Sequence, residues 1–181
     1  MVRKLKHHET KLLKKADLFS WKTDNKKEYA VINKYGLQKR EEYTQYSYLA
    51  GKIEKVTRLV SLLTGDDPFK AEMTRNITNK LYNAGLIDSR NSLEACAKVP
   101  VSVLCQRRLS AMLVALKMSE TISHANTVIE HGHVCVGVSV VRDPSFHVQR
   151  GLEDSITWTN GSKIKKHIQK YENNVDDYET H

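Results

Sequence analysis

The apolar residues of this 181-residue chain change their period once, at Gly132, and that switch constrains the fold more than any other feature. Before it, apolar positions recur at steps of three and four, the spacing of one helix face. After it they recur at steps of two, the spacing of one strand face. The longest helical pattern is Lys39–Leu63, with Tyr46, Leu49, Ile53, Val56, Val60 and Leu63 expected inward; Gly51 weakens it by about 1 kcal/mol relative to alanine. Asp24 is placed to cap an earlier helix reaching Lys34, ended by Tyr35-Gly36. Thr64 to Pro68 reads as stop, turn and restart, with Asp67 as N-cap, Pro68 as first helical residue and Gly85 closing a helix that runs to Tyr82. Ser92 opens a short helix that Pro100 breaks. Leu104–Leu116 reads as one helix with Leu109, Met112, Leu113 and Leu116 on one face. Thr121–Glu130 follows, with Ile122, Ala125, Val128 and Ile129 inward. Past Gly132, Val134, Val136, Val138 and Val140, then Val148, then Ile156 and Trp158 form the strand pattern, with Asp143-Pro144 as a turn. The expected fold is therefore mixed α/β: a helical N-terminal region wrapped on a small unit of two helices and a curled, mostly antiparallel sheet.

Charge divides the chain differently. Residues 1–40 hold twelve Lys/Arg against four Asp/Glu, whereas residues 171–181 hold four acids and no Lys/Arg. A leader this cationic repels itself unless an anion neutralises it, and a phosphate backbone is the commonest such anion. A solvated basic arm is the plainer alternative. Leu12, Leu13, Leu18, Phe19 and Trp21 within the arm suggest that it packs on its own domain or on a partner. No apolar run approaches the ~20 residues that span a bilayer, so no membrane partner is expected. Met1 to His8 lacks the apolar stretch of a secretory signal, and three cysteines at 96, 105 and 135 suggest a reducing compartment rather than a disulfide framework.

Little catalytic chemistry is legible. His131, His133 and Cys135 would share a strand face, but zinc usually takes four ligands, and no Cys-x-x-Cys pair is present. Neither metal nor cofactor is expected. A phosphate-cradling glycine loop and a Gly-x-Ser-x-Gly elbow are both missing, and Asp66-Asp67 is explained by helix capping. No enzyme is expected.

The specific signal lies between Arg107 and Trp158. Two short amphipathic helices meet at a corner, and the second runs through His131-Gly132-His133 into a strand. Arg107, Arg108, Lys117, His124, His133, Arg142 and Arg150 flank this unit; on one surface they would grip phosphates, with His131 and His133 adding hydrogen bonds or stacking. Exposed helix-start residues are the ordinary reading of Arg107 and Arg108, and a solvated helix face that of Lys163, Lys165 and Lys166. Packing is the favoured role of Tyr43, Tyr46 and Tyr48.

Arg108-Leu109, the segment Glu130-His131-Gly132-His133-Val134-Cys135-Val136 and Pro144 in the later turn together resemble the alpha-L RNA-binding module, named after the fourth small-subunit ribosomal protein. Glu120, Ile122 and Asn126 stand where that family often carries arginines. The resemblance implies RNA binding, with Gly132 as the turn into the strand. It extends to the opening Val2–Lys15, Tyr35–Tyr43, Lys80–Leu86 and Glu153–Lys166, which are similar to a family of U3 small nucleolar ribonucleoprotein components. That similarity implies a nucleolar assembly factor of the small-subunit processome. Its expected partners are U3 small nucleolar RNA, pre-ribosomal RNA and proteins of the Mpp-ten and Imp-four type. The resulting division is a basic arm over 1–38, a helical region over 39–106, the alpha-L unit over 107–160, and a basic segment with acidic tail over 161–181. Arg3, Lys4, Lys6 and Lys11 complete the set expected to contact RNA.

Overall fold

The computed structural model describes residues 3–15, 26–64, 67–90 and 92–176. Asp24, Leu18, Phe19 and Trp21 of the arm, and Asp177 and Glu179 of the tail, lie outside these. Nine helices are described: α1 (His7–Lys15), α2 (Lys26–Tyr35), α3 (Arg40–Ser61), α4 (Pro68–Asn83), α5 (Leu93–Ala97), α6 (Val101–Gln106), α7 (Leu109–Ala115), α8 (Ile122–Glu130) and α9 (Lys163–Asp176). Between α8 and α9 lie three strands, β1 (Val134–Val136), β2 (Ser139–Val140) and β3 (Ile156–Trp158), antiparallel in the order β2-β1-β3. The mixed fold, mostly helical with a small sheet, agrees with the periodicity.

Local chemistry sets several boundaries. Asp67 accepts the Phe69 amide at 3.0 Å, Ser92 the Ala95 amide at 3.2 Å and Thr121 the His124 amide at 3.2 Å, each satisfying an otherwise orphaned donor. After α4 the chain turns at Gly85 with φ of +74°. The β1–β2 register pairs Val136 with Ser139, leaving Gly137-Val138 as a two-residue hairpin loop. Gly137 takes φ of +62°, as glycine does at the first position of a hairpin turn that follows the strand twist.

Three packed clusters hold the elements together. Leu109, Leu113, Ala125, Val128, Ile129, Val134, Val136, Val148 and Ile156 form the core beneath the sheet. Leu86, Ile87, Cys96, Val99 and Leu104 form another with α3 and α4 side chains around them. Tyr35, Leu37 and Cys105 join α2 to α6.

Three expectations are corrected. Leu49 and Val56 of α3, read as inward, are exposed. Leu104–Leu116 is not one helix. Arg108 is extended (φ −69°, ψ 144°), and its backbone pairs with His147, so α6 stops before it and α7 starts after it. The Leu109 amide then bonds the Phe146 carbonyl at 2.9 Å, and the Val148 amide bonds the Arg107 carbonyl at 2.8 Å. The break thereby stitches the helices to the strand unit, and Leu116 ends up exposed. The alternating valines also do not share a buried face throughout. Val134 and Val136 are buried, but the hairpin turn leaves Val138 at its tip and Val140 on an edge strand, both exposed.

Candidate nucleic-acid interface

The expected cations separate into three groups, and one of them is internal. Arg108 is 1 % exposed. Its Nη1 donates to Glu42 Oε2 at 2.7 Å and to the Tyr46 hydroxyl at 3.1 Å. Burial pushes the Tyr46 hydroxyl above its ordinary pKa, which keeps it neutral beside this pair. Arg107 donates Nε to the Gly85 carbonyl at 2.7 Å and pairs with Glu153. Arg150 donates to the Ile87 carbonyl at 3.1 Å and stacks on the Tyr82 ring at 4.3 Å. The reading of Arg107 and Arg108 as a phosphate grip is therefore corrected. Their charge is consumed by Glu42 and the Gly85 carbonyl of the helical region and by Glu153 of the sheet unit, and Arg150 is turned toward the helical region as well. The acidic partners lie 66 and 46 residues away in sequence, so no local pattern announces them.

The second group surrounds the glycine corner between α8 and β1. Gly132 has φ of +75°, and its amide closes onto the Ile129 carbonyl at 2.8 Å. A Cβ built on Gly132 would stand 3.2 Å from Arg142 Nε, so only a bare backbone lets Arg142 lie across the corner comfortably. His133 Nδ1 lies 3.0 Å from Ser162 Oγ, and Thr159 Oγ1 donates to the Gly132 carbonyl at 3.2 Å. His131 and His133 meet edge to face at 6.2 Å. Ser162, almost fully buried, also accepts the Ile164 amide at 3.2 Å and so caps α9. Its position brings the first turn of α9, with Lys163, Lys165 and Lys166, beside the corner. Lys165 donates to Asn160 Oδ1 at 2.6 Å; Lys163, Lys166 and Arg142 are exposed and pair with no carboxylate among the described residues.

Cations at a helix N-terminus add to the positive end of the macrodipole instead of offsetting it. The corner is thus a concentration of uncompensated positive charge with two imidazoles set into it. It can hold phosphate oxygens by charge and accept a base edge or ring at the imidazoles. Sequence reasoning missed Ser162 and Thr159, which fasten the two halves of this surface. The signal for Ser162 was present, since a serine directly before a basic helical run is an N-cap.

The third group is dispersed. Lys117, at φ of +58°, and His124 flank a hollow at the start of α8, where His124 Nδ1 lies 2.8 Å from Ser119 Oγ. Arg3, Lys4, Lys6 and Lys11 lie exposed on and just before α1. Arg3 pairs with Glu9 at 2.7 Å, and that guanidinium holds the Glu9 carboxyl below its ordinary pKa. Leu12 and Leu13 of the same helix are exposed. Among the described residues, no group of three or more His, Cys, Asp or Glu gathers where it could hold a metal ion. Nor is any helix there long and apolar enough to cross a membrane.

Comparison with known proteins covers both halves of this architecture. The ribosomal protein S4/S9 N-terminal domain matches residues 4–117, and the S4 domain matches residues 107–154. The chain is 44% identical over 181 residues to the U3 small nucleolar ribonucleoprotein protein IMP3 of Mus musculus, covering 99% of this chain and 98% of that one. It is 42% identical over 181 residues to the protein of the same name in Saccharomyces cerevisiae, covering 99% of both. Similarity to the small ribosomal subunit protein uS4 of Caldivirga maquilingensis is lower, 29% over 140 residues, covering 77% of this chain and 76% of that one. With its helical region and sheet unit both matched, the chain belongs to the family of U3 small nucleolar ribonucleoprotein IMP3 proteins, on the S4 ribosomal-protein framework.

Proposed function

We propose that the chain is a non-enzymatic RNA-binding factor of ribosome assembly, acting in the nucleolus within the small-subunit processome. It helps U3 small nucleolar RNA pair with pre-ribosomal RNA during small-subunit rRNA maturation, alongside proteins of the Mpp-ten and Imp-four type. The observation that carries the reading is the cationic corner of Arg142, His131, His133, Lys163 and Lys166 around Gly132. Two RNA strands repel each other before they pair. A surface that neutralises phosphates on both lowers that repulsion and raises the pairing rate with no reacting group. The basic leader extends the same field; Arg3, Lys4, Lys6 and Lys11 serve as its contacts.

The test is the annealing rate of two short RNAs, one from U3 and one from its pre-ribosomal target, with and without the full chain. Wild-type protein accelerates annealing, and Arg142→Ala/Lys163→Ala/Lys166→Ala loses most of the acceleration while keeping its fold. Equal acceleration by both proteins would remove the corner from the mechanism.

A further inference from the structure

The longest helix has a second apolar face that the fold does not use. Tyr46, Ala50, Ile53, Thr57 and Val60 of α3 turn toward the rest of the helical region. On the solvent side, Tyr48, Leu59 and Leu62 are 65, 57 and 76 % exposed, with Val56 also exposed beside them. Lys52 and Lys55 fall between them, so positions 48, 52, 55, 59 and 62 form one stripe at the alternating four- and three-residue spacing of a helix–helix seam. Its length is about 20 Å at the α-helical rise, enough for four turns of a second helix.

Gly51 lies at this face, inside α3. A glycine in a helix interior costs roughly 1 kcal/mol relative to alanine. The backbone there is ordinary helix, and a Cβ would meet nothing within 4 Å. Neither conformation nor internal packing accounts for it. What the missing side chain leaves is a bare floor in a groove walled by Tyr43, Tyr48 and Lys55, where another backbone can approach closely.

Charge identifies the occupant. The groove is edged by Arg40, Lys52 and Lys55; among the described residues that line it the one carboxylate is Glu28, already held by Arg40 at 2.7 Å, and Glu41 lies in the adjoining hollow. The Lys52 ammonium sits over the Tyr48 ring at 4.4 Å, and Lys55 meets no carboxylate among the described residues. A second copy of α3 would set lysines against lysines. RNA would gain nothing from Val56, Leu59 and Leu62. We propose that the solvent face of α3, floored by Gly51, seats an acidic amphipathic helix of a partner protein. This goes beyond the RNA-binding reading and does not rest on it, since the stripe shares no residue with the cationic corner.

The experiment titrates the full chain with a fluorescent synthetic 21-residue helix carrying leucines at heptad seam positions and glutamates beside them. A version with lysines beside the seam serves as comparison. The acidic peptide binds and the basic one does not; Gly51→Leu weakens acidic binding at least tenfold with no fall in melting temperature, and Lys52→Glu/Lys55→Glu does the same. Equal binding of both peptides, or wild-type affinity in a stably folded Gly51→Leu chain, overturns the proposal. In cells, a photoreactive residue replacing Ser47 crosslinks to an acidic, helix-patterned segment of another protein. Adducts to RNA, to a second copy or to residues 16–25 of the same chain overturn it instead.

Discussion

At the scale of single residues, Arg108 shows what burial does to a charge. It ties α3 to the start of α7 through Glu42 and Tyr46. Removing one partner of a buried ion pair strands the other, at a cost of about 3–5 kcal/mol. Arg108→Ala is therefore expected to lose that much stability in urea unfolding, far beyond what an exposed RNA contact would show. His147 gives a second residue-scale outcome. Burial, with the Arg107 charge nearby, lowers its pKa from an ordinary value near 6.5, while Nε2 bonds the Ala84 carbonyl at 3.0 Å. The unfolded chain then takes up the proton first. The stability of neutral His147 is complete above pH 6.5 and declines as pH falls from there through the folded value. A melting series from pH 7.5 to 5 is expected to fall less steeply for His147→Gln, which keeps a neutral group at the site; parallel curves would contradict this. The sequence displayed Arg107 and Arg108 within one flanking set but gave no sign of direction, because Glu42 and Glu153 reach them only through the tertiary fold.

At the scale of elements, most boundaries were legible because they rest on local chemistry. Asp67, Ser92 and Thr121 cap helices where a short polar side chain precedes an apolar period, and Gly132 marks the change from helix to strand. What stayed hidden was decided at a distance. The helix break at Arg107-Arg108 follows from the bridge to His147, and a run of leucines cannot report it. Ile122 and Asn126, standing where arginines are common in such modules, are occupied inside the chain. Asn126 donates to the Gly36 carbonyl at 3.4 Å, and Ile122 packs so near Gly36 that a Cβ there would lie 2.9 Å from its Cγ2. Helix α8 thus docks on the turn after α2, and its face is spent on packing. The apolar residues of α3 read as a single inward face; exposure splits them between two. Gly85 offers the sharpest element-scale test. It joins α4 to the next turn at positive φ, and a Cβ would overlap the Arg107 guanidinium. Gly85→Ala combines backbone strain of about 1–3 kcal/mol with displacement of Arg107 from Glu153. Chemical denaturation should show a loss of at least about 2 kcal/mol, against a near-neutral result for Gly161→Ala, where a Cβ meets nothing within 4 Å.

For the molecule as a whole, a net charge of +8 is less informative than its division. Part of the positive charge is consumed in joining the sheet unit to the helical region. Exposed cations remain on the leader, the glycine corner and the first turn of α9, where an RNA backbone can reach them. This account predicts the ionic-strength dependence of binding. RNA affinity measured from 50 to 200 mM salt should fall steeply for the full chain, with a log–log slope that drops by about one for each phosphate-contacting cation removed. Arg142→Ala/Lys163→Ala/Lys166→Ala is expected to flatten the slope by about two to three and to weaken binding uniformly across RNA sequences. An unchanged slope in that folded variant would contradict the claim that the corner around Gly132 is where this protein holds RNA.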